Sequence, residues 1–91
     1  MWVPVDGTEI TVSVYCYRED DYAGTLPRMV IKQPGQADRT TTDVGASEAW
    51  NQLTDTFTPS ATPPYIVVEL QSSNTAVAGD YAAYFDDLDV S

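Results

Sequence analysis

Apolar and polar residues alternate along several segments of this chain, and that alternation constrains the fold more than any other feature. Between Glu9 and Tyr17 every even-numbered residue is apolar, and the residues between them are polar or tyrosine. A repeat of two residues places one set of side chains on each face of a half-buried β-strand. No segment shows a convincing repeat of 3.6 residues, which an amphipathic helix would need. The chain is therefore expected to be built from strands.

Turn residues divide the chain into short segments of this kind. Asp6-Gly7 and Pro34-Gly35 are typical of tight turns, and Ser60–Pro64 is rich in proline and threonine. The predicted strands are Trp2–Val5 (an edge strand, because it contains Pro4), Glu9–Tyr17, Leu26–Gln33, Arg39–Thr42, Trp50–Thr58, Tyr65–Gln71 and Ala82–Val90.

Two of these strands do not alternate cleanly. Trp50 and Leu53 fall on opposite faces of a regular strand, so a β-bulge is predicted between them. The Asp86-Asp87 pair interrupts the last strand and predicts a bulge or an exposed end there. Six or seven short strands separated by turns predict a β-sandwich or a barrel, as a single domain over residues 1–91.

The charge of the chain excludes several kinds of partner. Four basic residues stand against 14 acidic ones, which gives a formal net charge of −10. Nucleic-acid backbones and anionic membranes are bound by clusters of lysine and arginine, so neither is an expected partner.

Catalytic chemistry is also poorly represented. The chain has no histidine, which removes most acid–base and nucleophilic triads and nearly all zinc sites. Nothing in the sequence places two of the carboxylates Glu9, Glu48 and Glu69 across a cleft, as glycoside hydrolysis requires. No enzymatic activity is therefore expected.

Cys16 and the N-terminus bear on where the protein is found. Cys16 is the only cysteine, so no internal disulfide can form, and its apolar register predicts a buried core residue rather than a nucleophile. Residues 1–6 lack the basic region and apolar stretch of a signal peptide. The chain is expected to stay inside a cell, to be assembled there into something larger, or to be a piece of a longer secreted protein.

The order of the strand segments resembles that of a known family of binding modules. The segments that carry the resemblance are the Asp6-Gly7 turn with the strand after it, Trp50 to Phe57-Thr58-Pro59, Ile66-Val67-Val68-Glu69-Leu70 and the closing Tyr84-Phe85-Asp86-Asp87-Leu88. Together they are similar to jelly-roll carbohydrate-binding modules with a galactose-binding-like fold. The resemblance implies an all-β fold, an antiparallel jelly-roll-like β-sandwich.

The chain departs from that family at its N-terminus. Such modules usually begin with one or two further strands before the aspartate–glycine turn, whereas only residues 1–5 precede Asp6 here. A sheet edge without its neighbouring strand exposes unpaired N–H and C=O groups. Three outcomes remain open: a trimmed fold, a fragment, or a subunit whose sheet is completed by a neighbouring chain.

Aromatic and polar side chains on strand faces form the first candidate site. The candidate glycan-binding residues are Tyr15, Tyr17, Tyr65, Glu69 and Gln71. Aromatic rings pack on the apolar faces of pyranose sugars, while amides and carboxylates bind the hydroxyl groups. The alternative is that the tyrosines form a second core layer or a protein interface. Trp50 is assigned to the core or to a strand edge.

Asp86 and Asp87 form the second candidate site. In the resembled family an aspartate of the closing strand helps to bind a structural calcium ion, and by position that role falls on Asp86 or Asp87. The family's other ligands lie partly in the N-terminal strands that are missing here. The alternative is a solvated, acidic strand end. No cofactor is expected to be required, and calcium is a candidate structural ion only.

Two functions fit these observations. The first is a non-enzymatic structural or decoration component of a large assembly, such as a phage or virus particle, with protein partners or copies of itself. The acidic surface, the lack of disulfides and the missing signal peptide favour it, and it predicts a place on a virion or an extracellular surface. The alternative is a glycan-binding module from a secreted carbohydrate-active or adhesion protein, which Tyr15, Tyr17 and the family resemblance favour.

Overall fold

Two antiparallel sheets form the fold in the computed structural model, which describes residues 1–20, 22, 24–74 and 83–91. One sheet has four strands in the order β1-β6-β3-β4, and the other has three in the order β5-β2-β7. The strands are β1 (Trp2–Pro4), β2 (Ile10–Arg18), β3 (Gly24–Lys32), β4 (Arg39–Thr42), β5 (Trp50–Phe57), β6 (Tyr65–Asn74) and β7 (Ala83–Val90).

The predicted antiparallel β-sandwich is confirmed. Apart from the consecutive pair β3 and β4, neighbouring strands come from distant parts of the sequence, and this arrangement is compatible with a jelly roll. The strand predicted at Tyr65–Gln71 continues to Asn74, while Ala82 lies outside the described residues. Among the residues that the structure describes, no helix is long and apolar enough to cross a membrane.

A single apolar core lies between the two sheets. Its most deeply buried members are Val12, Val14 and Cys16 of β2, Met29 and Ile31 of β3, Leu53 of β5, and Ile66 and Val68 of β6. They occupy alternate positions along their strands, because successive side chains of a strand point to opposite faces. Each large apolar side chain buried in this way stabilises the fold by about 1.5–3 kcal/mol.

Cys16 belongs to this core, as its position in the alternation predicted. Its side chain is fully buried. Burial raises the pKa of the Cys16 thiol to about 11, with a further contribution from the nearby Asp43 carboxylate. The thiolate is the reactive form of cysteine, so this residue is a packing element and not a nucleophile at neutral pH.

The short strand β1 forms one edge of the four-stranded sheet, as Pro4 predicted. Val3 pairs with Ile66 of β6 and is buried in the core. The Met1 ammonium group donates a hydrogen bond to the Val68 carbonyl, and the Val68 N–H donates to the Met1 carbonyl, both at 2.8 Å. Beyond Val68, no strand in the described part of the chain pairs with this side of β6.

Gln33 fixes the loop between β5 and β6 against the end of β3. Its side-chain nitrogen donates hydrogen bonds to the carbonyls of Ser60 and Pro63 at 2.8 and 2.9 Å, and its oxygen accepts one from the Ser60 N–H at 3.0 Å. The predicted Pro34-Gly35 turn follows at once, with Gly35 at a φ of +83°. Glycine adopts this left-handed conformation without the steric cost that a Cβ atom would impose.

The bulge predicted between Trp50 and Leu53 is wrong. Strand β5 pairs with β2 residue for residue, from Phe57 opposite Ile10 to Trp50 opposite Tyr17. Regular alternation therefore places Leu53 in the core, where it is 4% exposed, and Trp50 on the outer face, where it is 51% exposed. Leu53 alone supplies the core contact at this end of β5, so no bulge is needed to turn Trp50 inward.

The irregularity predicted at Asp86-Asp87 is confirmed as a β-bulge. The register between β2 and β7 shifts between Ser13 and Tyr15, so that Val14 lies opposite both Asp87 and Leu88. Asp87 has a φ of 53°, the left-handed conformation found at the first residue of many bulges. The extra residue changes the alternation, and as a result Asp86 faces outward while Leu88 packs against the core.

Candidate functional site

Four aromatic side chains lie together on the outer face of the three-stranded sheet. Tyr17 of β2 has Trp50 of β5 on one side and Tyr84 of β7 on the other, with ring centroids 5.5 and 6.2 Å away. Tyr15 lies two residues before Tyr17 on the same face. We call Tyr15, Tyr17, Trp50 and Tyr84 the aromatic platform. Because its rings span three adjacent strands, it extends over about 10 Å across the sheet.

The aromatic platform is exposed to solvent although it is apolar. Trp50 is 51% exposed, Tyr84 49% and Tyr15 40%. Isolated exposed apolar residues are ordinary, but a contiguous apolar patch on a soluble domain marks a binding surface in many proteins. The rings are mounted on paired strands and not on loops, so their positions are fixed before any ligand arrives.

Carboxylate and amide groups surround the aromatic platform. In the row next to the three rings, Tyr15 lies between Gln52 of β5 and Asp86 of β7. A shallow hollow of about 400 Å³ is lined by Tyr15, Trp50, Asp86 and Asp87. The bulge in β7 produces this arrangement, since it keeps Asp86 outward and adds Asp87 beside it. The surface thus combines apolar rings with hydrogen-bond acceptors.

Glu48 holds Tyr17 in place. The Tyr17 hydroxyl donates a hydrogen bond of 2.6 Å to one carboxylate oxygen of Glu48, and the Asp20 N–H donates one of 2.7 Å to the other. These two donors lower the pKa of the Glu48 carboxyl below its ordinary value. The same contact raises the pKa of the Tyr17 phenol. The central ring of the platform is thereby tied to the loop that precedes β5.

That loop is in turn anchored by a buried ion pair. Arg18, at the end of β2, donates to the Asp43 carboxylate at 2.8 Å and to the Gly45 carbonyl at 2.7 Å. Asp43 is fully buried and also accepts hydrogen bonds from the Asn51 side chain at 3.0 Å and from the Gly45 N–H at 3.2 Å. Since the charge on each side is matched by several hydrogen bonds, the pair is satisfied in spite of its burial.

Gly45 allows the loop to pack this closely. A Cβ atom at position 45 would lie 2.6 Å from the side chain of Asn51. Asn51 donates to Asp43 and to the Ala46 carbonyl at 2.9 Å, so it has little room to move aside. Glycine is therefore required at this position for the loop to reach Arg18.

The structure divides the predicted glycan-binding residues between two faces. Tyr15 and Tyr17 belong to the aromatic platform, whereas Tyr65, Glu69 and Gln71 lie on β6, on the outer face of the four-stranded sheet. The core separates these two outer faces, so the five residues do not form one site. The alternative reading of Tyr15 and Tyr17 as a second core layer does not fit the exposure of Tyr15.

Sequence reasoning missed Trp50 and Tyr84 as members of the platform. Strict alternation alone would have placed Trp50 on the outer face, because it lies two residues from the exposed Gln52 and three from the buried Leu53. Tyr84 lies two residues before Asp86, so both side chains point to the same face, and both precede the bulge in β7. Their position beside Tyr17 depends on the strand order β5-β2-β7, which the sequence pattern does not reveal.

The calcium prediction concerns Asp86 and Asp87. Both are exposed, and the Asp86 carboxylate accepts a hydrogen bond of 2.9 Å from the Asp87 N–H. Among the described residues there is no group of three or more His, Cys, Asp or Glu side chains that could hold a metal ion. Two further aspartates of the chain, Asp21 and Asp80, lie outside the described ranges. Calcium takes six to eight oxygen ligands, and two carboxylates supply only some of them. Calcium binding at Asp86 and Asp87 remains a prediction.

Comparisons with protein-family models, with curated proteins and with solved structures find no match to this chain. Its likeness to carbohydrate-binding modules consequently rests on the strand segments and on the residues they carry. The fold class rests on the two antiparallel sheets. What the platform binds has to be argued from its chemistry.

Replacement of Asp43 with alanine is expected to destabilise the protein strongly. The change leaves the guanidinium of Arg18, whose side chain is only 15% exposed, without its anionic partner. Breaking a buried ion pair in this way lowers the free energy of unfolding by about 3–5 kcal/mol. Urea unfolding at neutral pH measures the loss, and the exposed Asp38→Ala variant, expected to change stability by less than about 0.5 kcal/mol, is the control. Equal stability of the two variants would contradict the anchoring role.

Glu48 is expected to make stability depend on pH in the acidic range. Because its pKa is lowered in the folded protein, its contribution is complete above the pKa of the unfolded chain and is lost as the pH falls through the folded pKa. Urea unfolding at a series of pH values from neutral to acidic should show a smaller acid-induced loss for Glu48→Gln than for the unchanged protein. Tyr17→Phe, which removes the principal donor, should also reduce the loss. Identical pH profiles for all three proteins would refute this role of Glu48.

Proposed function

We propose that this chain is a non-enzymatic binding module that holds a glycan on the aromatic platform. The observation that carries the proposal is the row of Trp50, Tyr17 and Tyr84 across three strands, with its outer rings exposed and its half-buried central ring held by Glu48. Flat rings of this kind pack against the C–H faces of sugars, and the contact buries apolar area on both partners. The jelly-roll carbohydrate-binding modules that the sequence resembles offer a precedent for such a role.

The polar groups beside the rings suit the hydroxyl groups of a sugar. Carboxylates accept hydrogen bonds, and an amide both donates and accepts them. Asp86 and Asp87 line the hollow next to Tyr15, and Gln52 lies opposite Tyr15 on the other side. A sugar ring stacked on Tyr15 or Trp50 would therefore have acceptors and an amide within reach of its edge.

The charge around the aromatic platform favours an uncharged glycan. Asp86, Asp87 and Asp89 lie on β7 and Glu48 lies beside Tyr17, whereas the nearest cation, Arg18, is paired with the buried Asp43. Like charges that meet at an interface cost affinity and slow association. Neutral polysaccharides are therefore the proposed ligands, and sulfated or carboxylated ones would be repelled.

Two carboxylates considered for hydrolysis, Glu48 and Glu69, lie on opposite outer faces of the sandwich. Glu48 contacts Tyr17 on the outer side of the three-stranded sheet, and Glu69 lies on the outer face of the other sheet. A glycosidase needs two carboxyl groups on either side of one glycosidic bond, roughly 5–10 Å apart. This separation supports binding without cleavage as the proposed activity.

Removal of a platform ring is expected to weaken glycan binding. Trp50→Ala and Tyr84→Ala should each weaken binding to a neutral polysaccharide by about tenfold or more, since central aromatic contacts contribute roughly 1–2 kcal/mol or more to binding. Affinity electrophoresis in gels containing galactan, mannan or soluble β-glucan provides the measurement, with polygalacturonate as the anionic comparison. Thr54→Ala, on the same face but outside the aromatic platform, is the matched control. Retention in none of the neutral gels, or retention unaffected by both ring variants, would refute the proposal.

A second candidate function is that of a structural component in a large assembly such as a phage or virus particle. One side of the sandwich is bridged by Arg39 of β4, which binds Asp55 of β5 through two hydrogen bonds of 2.7 and 2.8 Å. On the other side, β1 pairs only with the beginning of β6. In the described part of the chain, the later residues of β6 therefore have a neighbouring strand, β3, on one side only. An edge of this kind can accept a strand from a second chain.

Strand β7 is a poorer edge for such pairing. Its bulge and the carboxylates Asp86, Asp87 and Asp89 are features that protect sheet edges from association. The assembly proposal therefore places the partner chain along β6, at a virion or extracellular surface. Size-exclusion chromatography with light scattering tests it: oligomers at micromolar concentration are expected, and a monomer at every concentration would count against it.

A further inference from the structure

A second pair of aromatic rings in contact lies on the opposite outer face of the sandwich. Trp2 of β1 is 69% exposed, and its ring centroid lies 4.6 Å from that of Tyr65 on β6. Trp2 lies opposite Val67 in the sheet, and Tyr65 lies opposite Pro4. The pair repeats the Trp50–Tyr17 contact of the aromatic platform, where the centroids are 5.5 Å apart.

The position of Trp2 is fixed by the backbone on both sides of it. Val3 and Val5 are each 8% exposed and belong to the core. Met1 is hydrogen bonded to Val68 in both directions, and the Val5 N–H donates to the Pro64 carbonyl at 3.0 Å. Although β1 has only three residues, the indole ring is thus mounted on a strand that is held along its whole length.

A continuous array of polar groups runs across the sheet beside this ring pair. Lys32 lies 3.1 Å from the Glu69 carboxylate, and the Gln71 side-chain amide donates to Glu69 at 3.0 Å. Arg28 donates to the side-chain amide oxygen of Gln71 at 3.0 Å. Donors and acceptors therefore alternate along the array. A groove of about 490 Å³ joins the rings, the Lys32–Glu69 pair and the turn at Gly35.

We infer that this groove is a second glycan site, which makes the module bivalent; the inference rests on the proposed function of the aromatic platform. Its ligand belongs to the same chemical class, a neutral polysaccharide, because the groove combines an exposed Trp–Tyr pair with carboxylate, amide and ammonium groups that suit hydroxyls. Of the predicted glycan-binding residues, Tyr65 and Glu69 line this second site, and Gln71 holds Glu69 from beside it. Tyr15 and Tyr17 belong to the other site.

The two sites can be filled at the same time. They lie on the outer faces of different sheets, with the apolar core between them, and the shorter dimensions of the molecule are 21 and 17 Å. Two separate chains, or two distant parts of one chain, can therefore bind one protein molecule. Linked sites of this kind raise the apparent affinity for a long polymer and cross-link separate polymers.

The stoichiometry of binding to short oligosaccharides tests this inference. Isothermal titration with hexasaccharides of glucose, galactose and mannose is expected to give two sites per chain for the unchanged protein. Trp2→Ala and Trp50→Ala should each leave one site, and the double variant none. Both tryptophans are largely exposed, so the variants are expected to fold, and equal thermal midpoints would verify this. Val44→Ala, at a position that is 82% exposed and lines neither site, is the control.

The outcomes separate this inference from the proposed function. One site that is lost in Trp50→Ala and unchanged in Trp2→Ala would overturn bivalency and leave the function of the platform intact. One site that is lost in Trp2→Ala and unchanged in Trp50→Ala would overturn the function of the platform, and bivalency with it. Binding of none of the hexasaccharides would overturn both. A long soluble β-glucan should become turbid with the unchanged protein and stay clear with either single variant, and turbidity with both variants would contradict the inference.

Discussion

The buried ion pair between Arg18 and Asp43 is the interaction on which the arrangement of the aromatic platform depends. It connects the end of the central strand β2 to the loop before β5, and that loop supplies Glu48, the hydrogen-bond partner of Tyr17. An ion pair of this kind does not stabilise a fold merely by being buried, because removing two charges from water is costly. Its value here is geometric. The hydrogen bonds that compensate its burial fix Gly45 in the loop and Asn51 at the start of β5, and Glu48 of the same loop fixes the central ring.

The β-bulge in β7 has a comparable effect on the other side of the platform. A regular strand would place Tyr84, Asp86, Leu88 and Val90 on one face. If that face were turned inward, the surface would lose Tyr84 and Asp86. If it were turned outward, the core would lose Leu88 and Val90. One extra residue at Asp87 resolves the conflict, since the strand presents Tyr84 and Asp86 to solvent and turns Leu88 and Val90 inward. The irregularity in the sequence pattern is thus a requirement of the surface and of the core together.

Much of the fold could be predicted because strand alternation is a local property. Val12, Val14 and Cys16 reveal the inner face of β2 without any knowledge of its neighbours, and the Asp86-Asp87 pair reveals the bulge for the same reason. The bulge predicted between Trp50 and Leu53 was wrong, because the register with β2 is regular and leaves Trp50 on the outer face of the edge strand β5. The candidate site could be predicted only in part, since Tyr15 and Tyr17 lie two residues apart on one strand but Trp50 and Tyr84 reach them from strands distant in sequence.

The sequence by itself determined that this chain forms strands, where most of them begin and end, and which side of each strand faces the core. Those properties follow from residue types and from a repeat of two, which act over a few neighbouring residues. The tertiary structure alone decided which strands are neighbours. Strand order depends on how the two sheets bury their inner faces against each other, and it separated Tyr65, Glu69 and Gln71 from Tyr15 and Tyr17 while it brought Trp50 and Tyr84 to either side of Tyr17.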